Sequence, residues 1–364
     1  MVWPTGSLPD LLGYAPDRLA DDSLPLNDIA SYADIAGWMS AHGVATPTSL
    51  ADPALPGWEA ELDNLAIPPS LRERGLEPVW QRTYGFNLTQ VGKVLSIGQA
   101  PDYVMILKGT FDATDLQAAW VASGYQAVEV EGATVWSLFP GDTIDLSAQE
   151  SRPAMGTLNN MVMLDDGTLV AAAKTSRVGS VIDVVNGGAP SLAENDEIAA
   201  LLLPEIGADQ LASAIISKGT LLKTTEPARS GATYEPASSA TPAAGTLMPE
   251  VNVVLLGVPV PSSPDTATPV TADGVHPLMM LLVLDDIDDA QVADEIISGR
   301  LTGGRSSVTG EPYASRIGEP RVTVRDGDDR AVVMLTATLV YGSSDWLDIL
   351  SARDLGFAFW LPEE

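Results

Sequence analysis

The chain of 364 residues contains no cysteine, two histidines and five lysines. The missing cysteines exclude disulfides, thiolate nucleophiles and cysteine-type zinc sites. His42 and His276 lie far apart in sequence, so no paired-histidine spacing and no H-E-x-x-H helix exists. His42, beside Gly43, reads as a helix C-terminal residue, and His276, before Pro277, as the entrance to a strand. There is no G-x-S-x-G elbow and no G-x-G-x-x-G strand turn. Basic residues are few: 19 against 49 acidic ones, a net charge of −30. Such a field repels polyanions, so nucleic acid and anionic membrane surfaces are poor partners, and no nucleic-acid partner is expected. Long apolar runs are also missing. "LMMLLVL" (278–284) falls well short of the roughly 20 residues that span a bilayer, so no transmembrane segment is expected. The first thirty residues lack the basic start and apolar stretch of a secretory signal.

What is present is apolar material sufficient for real cores, 45% of the residues, in an order that implies an α+β fold. Residues 1–98 are rich in proline, glycine and tryptophan and read as an irregular segment of helix and loop packed on a larger body. Within it, Ile29, Tyr32, Ile35, Ala36 and Met39 have helical spacing, which predicts a helix over 28–43. A first α+β body is expected over 99–223. It has a buried strand at 103–109, a helix at 112–124 and a hairpin turning at Glu131-Gly132. A second hairpin follows with Asp166-Gly167 at its tip, then a short helix stopped by glycine near 188, and helical material from Ser191 to about Ser217. Residues 224–250 are rich in Pro, Ser, Thr and Ala and read as a linker or exposed loop. A second α+β body is expected over 251–364.

The two bodies share a pattern. Shifted by 176 residues, Pro101 falls on Pro277, the strand 103–108 on 279–284, Asp112 on Asp288, Leu116 on Val292 and Trp120 on Ile296. The expectation is a diverged internal duplication, each copy an antiparallel sheet with helices on one face and ferredoxin-like in general order.

Two clusters invite a chemical reading. Asp285, Asp286, Asp288 and Asp289 are candidate ligands for Ca2+, but the EF-hand pattern fails: counting from Asp285, the sixth residue is Ala290 and the twelfth Ile296. The competing reading makes Asp288 an N-cap with Gln291 at the capping-box position, and leaves Asp285 and Asp286 unexplained. Of 14 arginines, six fall between residues 300 and 330, around the loop "TGGRSSVTG". Arg300, Arg305, Ser306 and Ser307 are candidates to hold a carboxylate or phosphate, against the alternative that the arginines pair with nearby acids. Trp120 and Trp136 read as core residues of a helix and a strand.

The segment "GTFDATDLQAAWVASGY" (109–125) resembles a recurrent stretch of bacterial extracytoplasmic proteins of unknown function, often lipid-anchored, in which a strand leads through G-x-F-D to a helix ending in G-Y. Gly109, Phe111, Asp112, Gly124 and Tyr125 carry the match, which extends over about residues 99–139. The resemblance implies an exported location, with membrane anchoring through a signal segment, and supplies no activity and no cofactor. Together these features make a non-enzymatic extracytoplasmic binding or interaction protein the leading expectation, its partner a protein or small molecule. The alternative is a hydrolase using paired carboxylates or a divalent cation.

Overall fold

The computed structural model describes residues 7–17, 30–99, 102–139, 141–222, 248–260, 276–306, 309–327, 329–340, 346–347, 355 and 357–358. The fold is α+β, and the chain divides into two units: Met1–Asn195 with Asp209–Ile215, and Asp196–Ala208 with Ile216–Glu364. The expected linker is outside the described residues from 224 to 247.

In the first unit the front segment contributes α1 (Leu8–Leu12), β1 (Ala30–Asp34), α2 (Ile35–Ala41), α3 (Leu55–Glu61), α4 (Pro69–Arg74), α5 (Pro78–Tyr84) and β2 (Val91–Gln99). The helix expected over 28–43 is therefore corrected to a strand followed by a short helix. Tyr32 and Ala33 are buried by pairing with Leu95 and Val94, and that ladder overrides a helical spacing that was real but incidental. At its end Asp34 lies opposite Lys93 and forms a buried ion pair with it. Asp34 also accepts the Gly37 amide at 2.8 Å, which starts α2.

The chain continues as β3 (Asp102–Gly109), α6 (Ala113–Ala122), β4 (Gln126–Val130), β5 (Ala133–Ser137), β6 (Asn160–Met163), β7 (Leu169–Ala172), α7 (Thr175–Val185) and α8 (Asp196–Leu201). It then forms β8 (Leu211–Lys218), whose last three residues belong to the second unit. Short helical pieces fill 192–210 as expected, and the strand corrects the helical reading for 211–217. Its residues bury on both faces, with Leu211, Ala212, Ala214 and Ile216 nearly inaccessible. Sheet order in the first unit is β8-β1-β2-β3-β7-β6-β5-β4, antiparallel at every pair from β1 to β4. Central β3 is an uninterrupted apolar run because both of its faces are covered.

The G-x-F-D motif has a structural explanation in this setting. A Cβ on Gly109 would stand 2.2 Å from the Gln90 carbonyl oxygen, so only glycine lets β3 end there. Phe111 meets Phe86 edge-on at 5.5 Å, and the Asp112 carboxylate accepts the Thr114 and Asp115 amides at 2.8 and 3.1 Å as the N-cap of α6. Tyr125, buried, donates its hydroxyl to the Leu158 carbonyl at 2.7 Å. Between β4 and β5, Glu131 and Gly132 both have positive φ, 46° and 79°, as a tight two-residue hairpin requires.

The second unit contains β9 (Val253–Pro259), β10 (His276–Leu284), α9 (Ile287–Gly303), β11 (Ile317–Asp326) and β12 (Ala331–Leu339), with α8 packing against β9, β10 and β12. Its order is β11-β12-β10-β9, all antiparallel. α9 buries Ala290, Ala293, Ile296, Ile297 and Leu301, a stripe at three- and four-residue spacing, and packs against β11 and β12. Among the described residues no helix is long and apolar enough to cross a membrane.

Candidate functional site

The aspartate cluster proves to be a helix start with a different cap from the one its sequence suggests. Asp286, not Asp288, is the N-cap of α9, accepting the Asp289 amide at 2.9 Å. Asp285 pairs with Arg330 and accepts from the Asn252 side-chain amide at 2.9 Å. The two acids that the Asp288 cap left unexplained are thus the two with structural partners. Burial, and after it the neighbouring charges of Asp286, Asp285 and Asp288, push the Asp289 carboxyl up from its ordinary value. No group of three or more metal-ligating side chains with suitable geometry occurs among the described residues. Asp286→Ala is expected to lower stability by about 1 kcal/mol, with Asp288→Ala close to neutral, in chemical unfolding. Added Ca2+ should leave both transitions in place.

The arginine and serine candidates do not converge either. Arg305 donates to the Gly310 carbonyl at 2.9 Å, and Ser306, 3% exposed, accepts the Thr309 amide on its hydroxyl at 2.9 Å. Both close the loop on itself. Arg300, in the last turn of α9, reaches the Phe357 carbonyl at 3.4 Å. Ser307 is outside the described residues.

A cleft of about 690 Å³ lies instead in the first unit, at the end of the sheet where β6 turns into β7. Five segments build it. α6 supplies Gln117 and Trp120, the β4–β5 hairpin supplies Gly132 to Thr134 and Trp136, and the β6–β7 turn supplies Asp165 and Asp166. The C-terminal end of α7 adds Val185 and Asn186, and Tyr14 comes in from the short segment after α1. Trp120 and Trp136 stand 6.0 Å apart, centroid to centroid, and make an aromatic wall. Trp120 is 1% exposed and anchored by its indole N–H to the Tyr84 carbonyl at 3.0 Å. Trp136 is half-buried. The core reading therefore holds for Trp120, while Trp136 serves the cleft.

One rim of the cleft is tied down. The Tyr14 hydroxyl donates to Asp166, and the Lys108 ammonium reaches Asp166 at 3.1 Å and the Tyr14 oxygen at 3.0 Å, with its nitrogen 4.8 Å from the Tyr14 ring centroid. Asp166 also accepts the Thr168 amide at 3.0 Å, which shapes the turn. Burial alone would raise the Asp166 carboxyl. The Tyr14 hydroxyl, Thr168 and the Lys108 ammonium outweigh it and hold the group well below the usual carboxylate range. A depressed folded-state value stabilises the protein above the unfolded value near 3.9, and that contribution is lost as pH falls through the range below it. Asp166→Asn is thus expected to lower the melting temperature at neutral pH, with the gap to wild type closing in acid. A gap independent of pH would contradict this. Asp165, next along, is exposed and makes no hydrogen bond or ion pair among the described residues.

Tyr14, Gln117, Trp136, Asp165, Asp166 and Asn186 are the residues that sequence reasoning did not assemble. The available signals were Trp120 and Trp136 on successive elements and the Asp-Asp-Gly turn, each of which has a sufficient structural explanation alone. No protein-family model, curated protein or solved structure shows a significant match to the chain.

Proposed function

We propose that this chain is a non-enzymatic binding protein acting outside the cytoplasm, built from two diverged ferredoxin-like copies, with its small-molecule site in the cleft of the first unit. Support for duplication comes from strand order. β2-β3-β7-β6 and β9-β10-β12-β11 follow the same sequence of neighbours. In each, the second strand runs into a helix capped by an aspartate, Asp112 or Asp286. This is the ferredoxin-like order with its last strand moved to the front of the chain. The equivalence pairs Asp112 with Asp286, two positions before the residue matched in sequence.

The observation that carries the functional reading is where the copies differ. Between α6 and β6 the first unit inserts the β4–β5 hairpin, whereas the described residues between α9 and β11 form only an isolated bridge, Arg305 to Pro312, and the turn Tyr313–Ser315. The inserted hairpin supplies Gly132 to Thr134 and Trp136 to the cleft. A cleft of ligand size that sets aromatic surface beside convergent polar groups, here Gln117, Thr134, Asp165 and Asn186, is a common form of small-molecule site. The extracytoplasmic setting rests on the G-x-F-D resemblance. A thermal-shift screen of chemically diverse small molecules against the full chain and Trp136→Ala tests the proposal. Compounds that stabilise the wild type and not the variant support it. Turnover of an ester, glycoside or phosphate substrate that is lost in Asp165→Asn would replace it with hydrolysis.

A further inference from the structure

We infer that the cleft selects an organic cation, of the quaternary ammonium type, whose charge is spread over apolar carbon; this rests on the cleft being a binding site at all. The argument begins with charge. Asp165 and Asp166 are the only ionisable carboxylates among the described lining residues, and no lysine, arginine or histidine joins them there. Lys108 stands behind the rim and is spent on Asp166 and Tyr14, so the Asp166 charge is largely answered from within. Asp165 has no such partner among the described residues and leaves the cleft with a net negative charge.

Two further features have the same sign. α7 ends at the cleft: Val185 is its last residue and Asn186 its C-cap, and both line the cavity. The C-terminal end of an eleven-residue helix carries the negative pole of its dipole, which favours a cation nearby. The aromatic wall supplies the third contribution. Trp136, half-buried and backed by the enclosed Trp120, presents a ring quadrupole that attracts a cation and covers its methyl groups, with the Tyr14 ring at the rim. A small, strongly hydrated metal ion would gain little from such a wall, and an anion would meet repulsion from Asp165, from the helix end and from a chain of net charge −30. A cation with an apolar surface satisfies both the rings and the carboxylate.

Choline and 3,3-dimethyl-1-butanol differ in little but the charge at the branched centre, and isothermal titration of each into the full chain is the test. Choline is expected to bind at least about tenfold more tightly, the order of gain from aromatic and carboxylate contacts to a cation. Asp165→Asn should weaken choline several-fold and leave the neutral compound unaffected. Trp136→Ala should abolish choline binding, while Trp136→Phe, which keeps an aromatic face, should retain part of it. Equal affinities for the two compounds, both lost in Trp136→Ala, would overturn the charge preference while leaving the cleft as a binding site. Choline binding that survives Trp136→Ala, or no binding of either compound, would overturn both.

Discussion

Lys93→Met is expected to destabilise the first unit by about 3–5 kcal/mol, among the largest effects available from a single side chain. Lys93 and Asp34 are 8% and 9% exposed and face one another across β1 and β2. Removing the ammonium leaves a carboxylate with little water to solvate it. Asp34 cannot turn outward without cost, since it also holds the Gly37 amide at the start of α2. The Asp34 charge is felt nearby: Tyr32, on the same strand, has a buried hydroxyl with no hydrogen-bond partner among the described residues, pushed up by burial and by the charges of Asp34 and Asp10. The second change Asp34→Asn should recover much of the loss in the Lys93→Met background, because an amide keeps the cap acceptor without the charge. Urea unfolding followed by tryptophan fluorescence reads both effects. A loss under about 1 kcal/mol for Lys93→Met would show that water reaches the pair.

Trp120→Ala should cost a similar amount, about 3–5 kcal/mol. The indole is fully enclosed, and it closes the space between α6 and the end of α5. Gly85, at φ 84°, lets that end approach so closely that a Cβ there would stand 2.7 Å from the Leu116 Cα. With two backbones held at such range, the neighbours cannot collapse into the void left by the ring. The Tyr84 carbonyl also loses its indole donor. Trp120→Phe should be milder, retaining most of the apolar burial and losing the hydrogen bond. Because Trp120 backs Trp136, the alanine variant should also lose ligand binding at temperatures where it is still folded. Melting and binding measured together separate the two effects.

Local chemistry made part of this fold legible. The apolar run of β3, the Glu131-Gly132 and Asp166-Gly167 turns and the Asp112 cap each follow from residues within a few positions of one another. Long-range pairing decided the rest. β1 has the spacing of a helix face and becomes a strand because β2 lies beside it. Asp286 and Asp288 are equally good caps as isolated residues. The choice falls on Asp286 because β10 stays paired as far as Leu284, opposite Ala331, leaving two residues before α9 begins. Alternation along β5 placed Trp136 opposite Val135, yet whether that face met core or solvent depended on the position of β5 one strand from the sheet edge. The cleft itself was out of reach of sequence reasoning, since Tyr14, Trp136, Asp165 and Asn186 come together only through the sheet order.

The claim that the first unit's cleft is the ligand site is tested most directly by fluorine NMR of 5-fluorotryptophan-labelled protein. The chain has eight tryptophans, and the resonances of Trp120 and Trp136 can be assigned with their phenylalanine variants. During titration with a fragment set of cations, polyols and neutral aromatics, the predicted result is saturable movement of the Trp120 and Trp136 resonances, with the other six still. Saturable movement confined to other tryptophans, with these two unmoved, would contradict the account.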